Sequence, residues 1–76
     1  MSTITVYSRR GCHLCEEAEA VVARVAGDGH VVEVVDIDTD PALVDAYTVR
    51  VPVVAVDGRE VAEFVVDETT LRLALD

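Results

Sequence analysis

The sequence predicts one α/β domain in which a four-stranded mixed sheet is flanked by helices. A β-branched run, a segment with helical spacing of apolar residues and a valine-rich run follow one another near the N-terminus, which indicates a β-α-β unit. Farther along, Asp57-Gly58 separates two apolar runs, a pattern typical of a two-residue β-hairpin. The length of 76 residues allows one small domain, so residues 1–76 are treated as a single unit.

A strand followed by a helix opens the chain. Thr3–Tyr7 is rich in β-branched and aromatic residues and predicts the first strand. From His13 to Ala26, apolar side chains recur at helical spacing and charged side chains occupy the other faces, which predicts the first helix. Gly27-Asp28-Gly29 should end this helix, since glycine is favoured just past a helix C-terminus.

A second strand and a short helix should follow. His30–Ile37 is valine-rich and predicts the second strand. Asp40-Pro41 offers an N-cap residue followed by proline at the first helical position, so a short helix should run to Tyr47. Because strand–helix–strand crossovers are right-handed and join parallel strands, the first two strands should be parallel.

The last third of the chain predicts a hairpin and a final helix. Pro52–Val56 is a fully apolar strand, and Arg59–Val66 should be the returning strand after the turn. Asp67 can cap a last helix. Its apolar positions are Leu71, Leu73, Ala74 and Leu75. The hairpin adds an antiparallel edge to the parallel pair, so the predicted order is β-α-β-α-β-β-α.

Acidic side chains dominate the charge of the chain. There are 15 Asp and Glu against 6 basic residues, all of them Arg, which gives a net charge of −9. Nucleic acids and anionic membranes are bound through basic side chains, so we expect neither as a partner. The hydrophobic content of 51% argues against a disordered acidic tail. Without a recognisable signal or membrane-spanning run, we expect a cytoplasmic monomer.

The two cysteines, Cys12 and Cys15, form a C-x-x-C motif at the junction of the first strand and the first helix. In a cytosolic chain beside a β-α-β unit, this spacing is typical of a redox site. The helix start favours an anion, and Arg9 and Arg10 precede it, so both features should stabilise a thiolate at Cys12. We predict Cys12 as the nucleophile, with the two arginines at the thiol-binding site.

In the predicted mechanism, Cys12 attacks a substrate disulfide and Cys15, as the resolving thiol, displaces the product and closes an internal disulfide. An external thiol or a reductase then restores the dithiol, so we expect no bound cofactor. The substrate would be a disulfide-containing protein or a low-molecular-weight thiol compound. The sequence therefore predicts a small thiol–disulfide oxidoreductase.

Other interpretations of the cysteine pair stay open. The cysteines could be two small buried hydrophobes without a redox role. Tetrahedral zinc needs four ligands, and His13 and His30 do not complete such a set, so we expect no metal site within one chain. A site shared between chains, or an iron–sulfur cluster, would make the protein a redox-inactive or cluster-binding interaction module. His13 and Leu14, between the cysteines, should modulate the site, although His13 could equally be an exposed residue without a mechanistic role.

These residues resemble the thioredoxin superfamily, and within it the glutaredoxin-like proteins. The matching pieces are the first strand, the segment Ser8-Arg9-Arg10-Gly11-Cys12-His13-Leu14-Cys15, Val51-Pro52 before an apolar strand, and the Asp57-Gly58 hairpin. The resemblance runs essentially the whole length of the chain. It implies a thioredoxin/glutaredoxin-like fold and thiol–disulfide exchange activity.

The resemblance also implies roles for residues away from the cysteines. Pro52 is similar to the cis-proline that faces the active-site cysteines and leaves the backbone of Val51 free to pair with a bound thiol peptide. Arg9 stands where glutaredoxins carry a basic residue that contacts a glutathione carboxylate. Asp67 falls near the acidic residue that meets the glutathione amine.

Three departures from the glutaredoxin pattern argue against glutathione as the partner. His13-Leu14 replaces the usual Pro-Tyr between the cysteines, and Arg50 stands where threonine is common. Val65-Val66 replaces a Gly-Gly pair that lets the glutathione backbone approach closely, and β-branched side chains there should crowd it. The chain is more similar to a small, uncharacterised glutaredoxin-like group, in which the electron donor is open.

Overall fold

A four-stranded mixed sheet forms the centre of the structure, a computed structural model that describes residues 1–75. In chain order, the strands are β1 (Thr3–Ser8), β2 (Val31–Asp36), β3 (Val53–Val56) and β4 (Arg59–Glu63). In space, the order is β2-β1-β3-β4. The helices are α1 (His13–Ala26), α2 (Pro41–Tyr47) and α3 (Glu68–Leu75), with a 3-10 turn at Ile37–Thr39 before α2. The predicted α/β class and element order are confirmed.

The strand pairing places the two halves of the chain side by side. β1 and β2 are parallel, and β1 and β3 are antiparallel with Tyr7 opposite Val53. β3 and β4 form the predicted antiparallel hairpin. At its turn, Asp57 and Gly58 have φ values of 51° and 87°, as this kind of two-residue turn requires. The Asp57 carboxylate accepts the N–H of Thr3 at 2.9 Å, and this hydrogen bond lowers the pKa of Asp57.

The main core lies on one face of the sheet, between β1, β3 and the helices α1 and α3. Alternation along β1 buries every second side chain on this face, as expected for a strand covered on one side. The buried residues of this core are Ile4, Val6, Ala18, Val22, Ala26, Val54, Val56, Val66 and Leu71. The helical spacing detected in α1 therefore marks the stripe that packs on the sheet.

The opposite face of the sheet is covered in part by the end of α2. Tyr7 of β1 and Tyr47 of α2 stack with their ring centroids 4.6 Å apart. Val53 and Ala55 of β3 point to this face and are buried. Both faces of β3 are thus packed, which explains why its sequence is apolar without alternation.

The helix ends follow the predicted signals. The Asp40 carboxylate caps α2 by accepting the N–H of Ala42 at 2.9 Å, with Pro41 in the first turn. Gly27 ends α1 with a φ of 51°. Asp67 directly precedes α3, and its carboxylate accepts the hydroxyl of Thr70 at 3.3 Å. Within residues 1–75, none of the helices has the length and apolar character needed to cross a membrane.

Five strand boundaries differ from the prediction, and at two of them β1 continues to Ser8 and β2 begins at Val31. β4 ends at Glu63 instead of Val66, because Phe64 has a φ of 63°, which is not extended backbone. The Phe64 N–H still donates to the carbonyl of Pro52 at 2.9 Å. Pro52 precedes β3 instead of belonging to it. β2 ends at Asp36, whose carboxylate accepts the N–H of Asp38 at 2.9 Å and starts the 3-10 turn.

Candidate active site

A disulfide between Cys12 and Cys15 lies where β1 passes into α1. The connecting turn uses Gly11, whose φ of 73° suits glycine, and is closed by the Cys12 N–H donating to the carbonyl of Arg9 at 3.3 Å. The Cα atoms of the two cysteines are 5.2 Å apart. The predicted pair therefore meets at the predicted junction.

The two cysteines have different surroundings. Cys12 is the N-cap residue of α1, and its Sγ accepts the N–H of Cys15 at 3.1 Å. Cys15 lies within the first turn of the helix and is 1% exposed, whereas Cys12 is partly exposed. A helix N-terminus and a donated N–H both favour negative charge on the sulfur they face. The geometry thus suits a thiolate at Cys12 and shields the sulfur of Cys15.

The two arginines before the cysteines were expected to form a local positive patch, but one of them is paired with an acidic side chain. Arg9 forms an ion pair with Asp38, with Nη2–Oδ1 and Nε–Oδ2 distances of 3.0 and 3.1 Å. Arg10 is exposed. Since Asp38 balances the charge of Arg9, the local positive excess beside Cys12 is smaller than the sequence alone indicates.

The side chains between the cysteines point outward. The His13 side chain is 83% exposed, and its ring nitrogens lie 3.9 Å from a carboxylate oxygen of Glu16 and 3.7 Å from one of Glu17. When protonated, His13 would therefore pair with these two acids on its own helix. Leu14 is 40% exposed and offers an apolar contact beside the disulfide.

The Val51-Pro52 segment lies at the same end of the sheet as the cysteines. Because Tyr7 is opposite Val53, Pro52 is placed beside Ser8, the last residue of β1 before the cysteine turn. The Val51-Pro52 peptide bond is cis, as the resemblance implies. The N–H of Val51 is engaged, since it donates to the carbonyl of Tyr47 at 3.1 Å. The expectation of a fully free Val51 backbone is therefore wrong for its N–H group.

Arg50, just before this segment, joins a charged and aromatic cluster that the sequence did not reveal. Its guanidinium is hydrogen-bonded to Glu60 and Glu63 of β4 and lies over the Tyr47 ring, with Cζ 5.4 Å from the ring centroid. The hydrogen bond to Glu60 raises the pKa of Arg50 most, and the hydrogen bond to Glu63 raises it further. Partial burial is the main cause that raises the pKa of Tyr47, and the negative charge of Glu60 is the second.

A groove of about 310 Å³ runs between α1 and the segment after β4. Leu14 lies on its helix side, and Phe64 and Val65 lie on the other. These three apolar side chains are 40%, 45% and 72% exposed. Leu14 connects the groove to the cysteine pair, and the hydrogen bond from the Phe64 N–H to the Pro52 carbonyl connects its other wall to the cis-proline segment.

Metal binding needs a cluster of suitable side chains in addition to the cysteine pair. Among residues 1–75, no group of three or more His, Cys, Asp or Glu side chains is placed to hold a metal ion. The cysteine pair alone provides two sulfur ligands, half of what a tetrahedral site within one chain needs.

A C-x-x-C disulfide at the first β-α junction of this sheet, beside a cis-proline, defines a redox-type protein of the thioredoxin fold. Residues 3–76 match the profile of the glutaredoxin-like domain (DUF836), and the chain belongs to this family.

Solved structures agree with this assignment. Protein XcR50 of X. campestris is 39% identical, with a TM-score of 0.81 over 96% of this chain and 95% of that one. A mutant thioredoxin from Halobacterium salinarum NRC-1 is 32% identical, with a TM-score of 0.69 over 96% of this chain and 70% of that one. Oxidised mitochondrial thioredoxin 3 of Saccharomyces cerevisiae, at 15% identity, is similar in fold alone, with a TM-score of 0.66 over 96% and 74% of the two chains. The comparison with curated protein sequences returned no match.

Proposed function

We propose that the protein is a thiol–disulfide oxidoreductase that reduces disulfides of proteins or small molecules. The main support is the unequal cysteine pair: the Cys12 sulfur accepts an N–H at the start of α1, whereas Cys15 is 1% exposed. An accessible thiolate backed by a buried second thiol is what a two-step exchange needs. Cys12 is accordingly the nucleophile and Cys15 the resolving thiol.

The exchange transfers two electrons from the protein dithiol to the client. The Cys12 thiolate attacks one sulfur of the client disulfide, forms a mixed disulfide and releases the other client sulfur as a thiolate. The Cys15 thiol loses its proton to solvent and attacks the Cys12 sulfur, which releases the second client thiolate. The Cys12–Cys15 disulfide described above is the product of this step. An external thiol or a reductase supplies two electrons to reopen it.

The surroundings of the disulfide favour a client with apolar groups over glutathione. Leu14, Phe64 and Val65 present apolar surface at the groove. Arg9, the expected contact for a glutathione carboxylate, is already paired with Asp38. Val65 also stands where glutaredoxins carry a glycine that lets the glutathione backbone approach closely. Glutathione would therefore have to compete with an internal ion pair and fit beside a branched side chain.

We expect a monomer in the cytoplasm, with no bound cofactor and with a reductase or a small thiol as the electron source. The net charge of −9 supports basic clients and argues against nucleic acid and membrane partners. Asp67 and Arg10 remain proposed binding residues.

Insulin reduction tests the proposed function. The protein is assayed with thioredoxin reductase and NADPH, with glutathione and its reductase, and with dithiothreitol. We expect acceleration over the protein-free rate in the dithiothreitol reaction and in at least one enzymatic system, with glutathione the poorer donor. No acceleration with any reductant would contradict the proposal. A brown protein without titratable thiols would instead favour the cluster-binding interpretation.

A further inference from the structure

We propose that Arg50 is a positioning residue that holds the Val51-Pro52 segment against the sheet and so sets how a client disulfide docks beside Cys12. This role rests on the proposed function and concerns a residue that does not touch the reacting sulfurs. The supporting contacts come from β4, from α2 and from the link between Pro52 and Phe64.

The role is supported first by the hydrogen bonds of the Arg50 guanidinium to two carboxylates of β4. Its Nε donates to Glu63 at 2.9 Å, and its Nη2 donates to Glu60. A single exposed ion pair has little orienting effect. A planar guanidinium that donates to two carboxylates through separate nitrogens has a defined orientation, which a lysine ammonium cannot reproduce.

The second support is the contact with the end of α2. The Tyr47 ring lies under the guanidinium, and the Tyr47 hydroxyl donates to Glu60 at 3.4 Å. The Tyr47 ring also stacks on Tyr7 of the central strand β1. The backbone N–H groups of Arg50 and Val51 both donate to the Tyr47 carbonyl, at 2.8 and 3.1 Å. The segment is therefore attached to α2 by its main chain and to β4 by one side chain.

The third support is the path from this cluster to the disulfide. The Pro52 carbonyl accepts the N–H of Phe64, which directly follows the Arg50 partner Glu63. Phe64 shares the groove with Leu14, which lies between the two cysteines. Removing the Arg50 side chain would leave Glu60 and Glu63 as two neighbouring uncompensated carboxylates on β4. The Val51-Pro52 segment would then lose its side-chain hydrogen bonds to β4, the strand that leads into the groove wall at Phe64.

The kinetic test compares Arg50→Ala and Arg50→Lys in insulin reduction with dithiothreitol as the donor. We expect Arg50→Ala to raise KM about tenfold with a smaller change in kcat, because misplaced docking groups weaken productive binding. Arg50→Lys should restore KM only in part. The alkylation rate of reduced Cys12 by iodoacetamide should stay within about twofold of the parent, because the helix start is untouched. The matched control is Arg72→Ala, which breaks a 2.8 Å ion pair with Glu68 on α3 and should leave KM unchanged.

A KM for Arg50→Ala within twofold of the parent would overturn the positioning role. Loss of Cys12 alkylation in parallel with activity would also overturn it, since that pattern indicates general disruption of the structure. Failure of the parent protein to reduce insulin would count against the proposed function instead.

Amide hydrogen exchange tests the positioning directly and does not depend on activity. In Arg50→Ala, the N–H groups of Val51 and Phe64 should exchange about tenfold faster, because the Val51–Tyr47 and Phe64–Pro52 hydrogen bonds each have one partner on the segment that Arg50 holds. The N–H of Leu71 in α3, which donates to the carbonyl of Asp67 just before the helix, should be unaffected. Unchanged exchange at Val51 and Phe64 would contradict the proposal even if KM rises.

Discussion

Cys12→Ala is expected to reduce insulin no faster than the protein-free reaction. The remaining thiol, Cys15, is 1% exposed in the parent structure and lies within the first turn of α1. A thiol that a client disulfide cannot reach does not form the mixed disulfide on which turnover depends. The measurement is the initial rate of insulin reduction with dithiothreitol, at equal protein concentration.

Cys15→Ala is the matched control for this variant. It removes one sulfur and the same disulfide, so any loss of stability from the missing cross-link is shared by the two variants. It keeps the nucleophile and should still release one thiolate from a small aromatic disulfide in a single turnover. Equal single-turnover release by both variants would contradict the assignment of Cys12 as the nucleophile.

Leu71→Ala should have the largest effect on folding. Leu71 is 1% exposed and belongs to the core cluster that joins α3 to the sheet. Removing a buried leucine side chain costs about 2–5 kcal/mol of unfolding free energy, because the cavity is only partly filled by relaxation. Small domains have a total stability of about 0.05–0.15 kcal/mol per residue, so this loss is a large share of the whole.

Leu73→Ala provides the control on the same helix. The Leu73 side chain is 70% exposed, so its removal should change the unfolding free energy by no more than about 0.5 kcal/mol. Urea unfolding of the oxidised proteins measures both values. Similar losses for the two variants would show that α3 does not pack on the sheet through Leu71.

The parts of the fold that the sequence predicts are those with local signals. Apolar spacing marks α1, Asp40-Pro41 marks the start of α2, and Asp57-Gly58 marks the hairpin, because each depends on residues within a few positions of one another. The C-x-x-C motif is also local, and its place at a strand–helix junction follows once the elements are assigned. The cis bond before Pro52 was expected only from the family resemblance, since a proline in the sequence does not by itself require a cis bond.

The features that sequence reasoning missed depend on partners far away in the chain. Val65 and Val66 continue the apolar pattern of β4, yet the strand ends at Glu63 because Phe64 leaves the extended conformation, with a φ of 63°. Arg9 is neutralised by Asp38, 29 positions away. The hydrogen bonds of Arg50 to Glu60 and Glu63 likewise appear only when β3 and β4 are assembled. The client, the electron donor and the cytoplasmic setting stay predictions.

The most direct test of the central claim is to trap the mixed disulfide. Reduced Cys15→Ala protein is incubated with insulin and quenched with acid, and its intact mass and peptide map are measured. The proposed chemistry predicts one insulin chain per protein, attached at Cys12 and removed by dithiothreitol, because no resolving thiol displaces it. Absence of the adduct, or an equal yield of adduct through Cys15 in Cys12→Ala protein, would contradict Cys12 as the attacking thiol.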